Sequence, residues 1–278
     1  MQRITRIGRT FFAVALLGLG IEHFIFREFI VGRAPAWPDD VAGGTIWAAL
    51  TGLAFIGVGI AVTIGKRGRA AAIFAAALVF AWALVRNVPI AAADSLFAAT
   101  WTVTGKSLVF TAGALVIAAT LPPFPDRQAL ARFLNADRAF MTAGRTALGI
   151  FMVITGVQHF IFTAFVASLI PDWFPGDAVI WTWFAGVALI AGGIGLQVPR
   201  TARLAALLSG LMVFSWFWIV HLPRTFAGVS DSIAVFEALA VSGIAFVLAG
   251  NHMRKVRPRP PEAPVEHAAS TARTSTSP

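Results

Sequence analysis

Cysteine and tyrosine are both absent from this 278-residue chain, and charge is scarce. Without cysteine there are no disulfides, no thiol exchange and no thiolate metal sites. Without tyrosine no phenol can serve as an acid or a radical relay. Charged residues make up 13% of the chain against 58% apolar residues, and the mean hydropathy is +0.78. A soluble fold of this length needs more charge to cover its surface, so the composition reads as an integral membrane protein. The net charge of +9 would suggest nucleic acid in a soluble chain. Here the basic residues fall in short clusters between apolar runs, as cytoplasmic loops do, which argues against a nucleic-acid partner.

Apolar runs long enough to span a bilayer lie near 10–31, 44–65, 70–90, 99–120, 145–169, 179–198, 203–222 and 233–251. The expected fold is therefore an all-α integral membrane protein with eight transmembrane helices. The first run has the basic-then-apolar profile of a signal peptide. It continues past Glu22-His23 without a small-residue cleavage pattern, so it reads as a retained first helix. Basic clusters surround Arg3/Arg6/Arg9, Lys66/Arg67/Arg69, Arg127/Arg132/Arg138/Arg145, Arg200/Arg203 and Arg254/Lys255/Arg257/Arg259. All five share one side if both termini are cytoplasmic, which places the chain in a plasma or inner membrane. The opposite loops carry Asp39, Asp40, Asp94, Asp172, Asp177 and Asp231, with Trp37, Trp47, Trp101, Trp173 and Trp181 at that boundary.

The two halves repeat. Gly20-Ile21-Glu22-His23-Phe24-Ile25-Phe26 returns as Gly156-Val157-Gln158-His159-Phe160-Ile161-Phe162, and Trp37 returns as Trp173 at the same offset. After a two-residue slip, Ile46-Trp47 matches Ile180-Trp181, Trp82 matches Trp216 and Pro89 matches Pro223. Four helices per unit is an even number, so the expected repeat is parallel, with both units in the same orientation. The expected division is a first unit at 1–120, a linker at 121–144, a second unit at 145–251 and a disordered basic, proline-rich tail at 252–278. Within the linker, Leu130, Phe133 and Leu134 share one face of a short amphipathic helix suited to the cytoplasmic membrane surface.

Ionisable groups inside apolar spans are costly and lean functional by default. Fourteen residues separate Arg9 from His23, about 21 Å of helix, which puts His23 in the outer half of a ~30 Å core. His159 shares that depth by the repeat. Arg86, Asn87 and His221 close helices three and seven, while Lys106 and Glu237 lie one to two turns into helices four and eight. Together with Glu22 and Gln158 these residues form one polar layer, the candidate site. No metal site is expected, because no histidine or carboxylate lies at a ligand spacing within either histidine-bearing helix. Glu22 becomes Gln158 and Arg86 becomes Val220 in the second unit. Loss of both charges together is what a buried Glu22–Arg86 pair requires, so such a pair is expected.

The Glu-His-Phe and Gln-His-Phe phrases, with His221-Leu222-Pro223, resemble the DoxX-like membrane family as a tandem fusion over residues 9–120 and 145–251. That resemblance implies four-helix units, and for some members a role in quinone-linked oxidation or in membrane complexes that handle oxidative stress. It implies no catalytic residue set. The first functional expectation is a redox-linked accessory membrane subunit, binding a quinone in the outer layer with a redox partner subunit and surrounding lipid. The alternatives are a structural or carrier module without chemistry, and a haem b protein with His23 and His159 as axial ligands.

Overall fold

A computed structural model describes residues 2–30, 37, 41–125, 129–226 and 232–251, which among themselves contain helices and no strand. Helix α1 (Gln2–Phe26) is followed by α2 (Gly44–Ile64) and α3 (Gly68–Trp82). The third rod continues through a π-helical turn (Ala83–Asn87) into α4 (Val88–Ala92), and α5 (Ala99–Ala118) ends the first half. A short α6 (Ala129–Leu134) leads to α7 (Asp137–Ile161), α8 (Thr163–Ala167) and α9 (Ala178–Gln197). Then α10 (Ala202–Trp216) passes through a second π turn (Phe217–His221) into α11 (Leu222–Thr225), and α12 (Ser232–Gly250) follows. Eight of these rods are long and apolar enough to cross a membrane. The chain is a multi-pass helical membrane protein.

Two boundaries differ from the sequence reading. Helix α1 starts at Gln2 and α7 at Asp137, about two turns before their apolar runs. Residues 137–144, assigned to the linker, are thus helical. A helix need not end with its apolar face, because turns in the headgroup region keep their internal hydrogen bonds while exposing charge. In the linker, α6 leaves Leu130 and Phe133 exposed, the face the sequence set against lipid. Asp39, Asp40, Arg127, Asp231 and the tail 252–278 lie outside the described residues.

Arg69 also departs from expectation. The sequence counted it among loop charges, yet it is buried. Its guanidinium donates to the carbonyls of Ala118 (3.1 Å), Leu121 (3.2 Å) and Leu134 (2.9 and 3.1 Å) and to Asp137 Oδ1 (2.5 Å). The planar fork thus ties together the C-terminal ends of α5 and α6 and the first turn of α7. Unsatisfied carbonyls at helix C-termini are natural partners for a cation.

The spanning helices neighbour one another in the closed order α1, α2, α3, α5, α7, α9, α10, α12 and back to α1. Helices α5 and α12 also touch across the ring. The halves therefore join through α1 against α12, through α5 against α7 and, inside the ring, through α5 against α12. Glycines set the closest crossings. A Cβ on Gly52 would lie 2.7 Å from Gly20 O and 2.8 Å from His23 Cβ, and one on Gly186 would lie 3.0 Å from both Gly156 O and His159 Cβ. These contacts fix which way each histidine can turn.

Both π turns have a local cause that the sequence reading did not extract. Pro89 and Pro223 lack an N–H and would crowd the carbonyl four residues earlier. The backbone responds one residue ahead of each proline: Val88 N–H bonds to Ala83 O and Leu222 N–H to Phe217 O, five residues back. An extra residue per turn swings Arg86, Asn87 and His221 relative to the helix below.

Candidate functional site

The polar layer divides between two cavities at one end of the bundle. The first holds only about 20 Å³ and is lined by His23, Phe29, Thr51, Phe55, Val79, Trp82, Arg86, Asn87 and Ser107. His23 Nδ1 donates to Leu19 O at 2.7 Å, and its Nε2 is buried without a partner. Asn87 Nδ2 is likewise buried without one. An acceptor and a donor facing so small a space suit a single water molecule. Around them the chain packs its own rings. Phe29 stacks on Trp37 at 5.5 Å, both contact Trp82, and the Arg86 guanidinium lies 4.8 Å from the Phe29 centroid and 5.3 Å from that of Trp37. Cation–π attraction holds such a cap in place.

The second cavity is about 370 Å³, within the range of small-molecule sites. Lys106 of α5, His159 of α7, His221 of the second π turn and Glu237 of α12 all line it. Phe151, Trp181, Phe184 and Trp216 supply aromatic wall, and Leu169, Ile170 and Phe174 border it beyond α8. His159 Nδ1 donates to Thr155 O at 2.7 Å, and its ring is stacked near Trp216 at 6.2 Å. Lys106 Nζ and Glu237 Oε2 form an ion pair at 2.5 Å, while Glu237 Oε1 is buried without a partner. Phe165 and Trp173 follow Phe29 and Trp37 by 136 residues. They are 65% and 63% exposed, outside the space their counterparts fill.

The expected Glu22–Arg86 pair is not formed. Among the described residues the ion pairs are Arg69–Asp137 and Lys106–Glu237. Successive helix residues point about 100° apart, and the Gly20–Gly52 crossing directs His23, rather than Glu22, into the first half. Glu22 turns instead to α12, where Ser232 and Glu237 are its polar neighbours. Its carboxylate is buried, with the Ser232 hydroxyl as its hydrogen-bonding neighbour and no cation paired with it among the described residues. Gln158, at the corresponding place on α7, is fully bonded. It donates to Phe97 O (3.2 Å) and Ala98 O (2.9 Å) and accepts from Thr102 Oγ1 (2.5 Å). Glu22 and Gln158 thus line neither cavity and face the joins between halves.

Of the nine candidate residues, His23, Arg86 and Asn87 meet in the first cavity, and Lys106, His159, His221 and Glu237 in the second. His23 and His159 face different cavities, so a single haem clasped between these two is not a geometry this arrangement offers. Sequence reasoning missed Thr102, Thr155, Thr182 and Ser215, which are among the residues lining the second cavity. Their signal is weak, because a lone threonine or serine in a span usually bonds back to its own helix, as all but Thr102 do here. The prolines two residues after Asn87 and His221 were the better clue to a distorted, inward-turned segment.

Residues 148–224 match a family described as a domain of unknown function (DUF8561). The match runs from the middle of α7 to α11 and carries His159, Trp181, Trp216 and His221, but neither Lys106 nor Glu237. No curated protein and no solved structure matches the chain.

Proposed function

We propose that this chain is a redox-linked membrane subunit that binds a quinone-type ring in the cavity of its second half. One observation carries the reading: the first half fills the corresponding space with its own stacked, flat groups, and the second leaves it open. Phe29, Trp37, Trp82 and the Arg86 guanidinium occupy the first. In the second, Val220 stands where Arg86 would be, and Phe165 and Trp173 lie outside. What remains is a space bounded by Trp216, Trp181 and Phe184, with two histidines, a lysine and a carboxylate at its edge. A lipid-soluble aromatic ring with polar substituents matches both its walls and its rim.

The same reading treats the chain as two DoxX-like four-helix units in the same orientation. Its support is the matched element order, the two proline-linked π turns and the identical Nδ1-to-carbonyl bonds of His23 and His159. The positive-inside pattern supports cytoplasmic termini and an outer-leaflet site in the cell membrane. The test is solvent extraction of purified protein followed by lipid analysis, repeated for Ala185→Trp, which fills the cavity wall. Quinone carried by the native protein and lost from a correctly folded Ala185→Trp variant supports the proposal. Absence of quinone, together with no binding of added decyl-benzoquinone or its hydroquinone, overturns it.

A further inference from the structure

The polar atoms left facing the second cavity narrow the ligand class, on the reading just given. His159 Nδ1 lies 2.7 Å from Thr155 O, a carbonyl that can only accept. Nδ1 therefore carries the hydrogen, and in the neutral ring Nε2 presents a lone pair. The hydroxyl hydrogens nearby are committed in the same way. Thr155 donates to Phe151 O (2.8 Å), Thr182 to Ala178 O (2.8 Å), Ser215 to Met212 O (2.7 Å) and Thr102 to Gln158 Oε1 (2.5 Å). Having given their hydrogens, these oxygens keep only lone pairs. Donors are fewer: the remaining hydrogens of Lys106, already bonded to Glu237 Oε2, and the Trp216 indole. His221 can act in either sense.

We propose that the cavity selects the hydroxyl-bearing form of its ring, a hydroquinone or simple phenol, over the carbonyl-only quinone. A ring O–H donates to His159 Nε2, the remaining acceptor of a ring that lines this largely apolar cavity. A quinone has no hydrogen to give. It would cover His159 Nε2 without meeting it, and buried unmet acceptors weaken binding. One such bond corresponds to a preference on the order of tenfold.

Equilibrium binding to the purified full chain in lipid nanodiscs tests this with three probes: decyl-hydroquinone, its dimethyl ether and decyl-benzoquinone. The ether keeps the ring and chain but has no O–H. The expected result is hydroquinone binding about tenfold tighter than either of the others, with His159→Phe levelling the three while ring binding persists. Equal or tighter binding of the quinone or the ether to the native protein overturns the hydroxyl preference and leaves the cavity assignment standing. Failure of all three to bind removes the cavity assignment itself. The native comparison decides the matter even where His159→Phe does not fold.

Discussion

Removing Lys106 alone should do more damage than removing Glu237 alone, and removing both should undo much of it. The two groups pair at 2.5 Å between α5 and α12, across the line where the halves meet. Glu237 is 5% exposed and Lys106 23%, so the carboxylate depends on its partner more than the ammonium does. Two unit charges 4 Å apart attract by about 4 kcal/mol at an effective dielectric near 20. Breaking a buried pair by deleting one member costs about 3–5 kcal/mol. Lys106→Met strands Glu237 with Glu22 as its neighbour, so a loss of about 3–5 kcal/mol is expected. Glu237→Gln keeps an acceptor beside Lys106, whose ammonium reaches the cavity, so its loss is smaller, about 1–2 kcal/mol. The double variant leaves two neutral groups and should cost little more than Glu237→Gln. Thermal unfolding of detergent-purified protein reads these as Tm shifts of about 2–4 °C per kcal/mol. Losses that simply add in the double variant would refute the reasoning.

Glu22→Gln should leave Tm unchanged or raise it, since Glu22 has no paired cation among the described residues, lies beside Glu237, and an amide can keep the Ser232 contact as Gln158 keeps its own. A fall as large as that of Lys106→Met would show that Glu22 is paired after all. Arg69→Met should cost about 3–5 kcal/mol by stranding the carbonyls it caps. Asp137→Asn should cost under about 1 kcal/mol, because Asp137 is 52% exposed and its ion pair is screened by solvent; equal losses would mean the ion pair dominates. Reporter fusions after residues 68 and 201 should behave as cytoplasmic and those after 95 and 175 as external. The opposite result at any of the four would overturn the assigned topology.

The eight spans and the polar layer were legible because both depend on one-dimensional facts: run length, and the distance of a residue from the nearest charged boundary. The partners within the layer were not. Whether Glu22 or His23 faces the first half depends on rotation about α1, which the Gly20–Gly52 contact fixes between two helices. Gln158 and Val220 did not mark a Glu22–Arg86 pair: Gln158 bonds to Phe97, Ala98 and Thr102, and Val220 lines the second cavity. Arg69 looked like a loop charge because the carbonyls it caps lie 49 to 65 residues away. The contrast between a filled and an open cavity rests on where Phe29, Trp37, Phe165 and Trp173 sit.

The central claim is that the second cavity, and not the first, takes an aromatic ring from the membrane. Its most direct test is photolabelling of the full chain in nanodiscs with an azido-substituted decyl-benzohydroquinone, followed by peptide mapping. Label is expected on segments bearing His159, Phe184 and Trp216, and it should be displaced by unlabelled decyl-hydroquinone. Label confined to the first half, or label in the second half that unlabelled ligand does not displace, would contradict the claim.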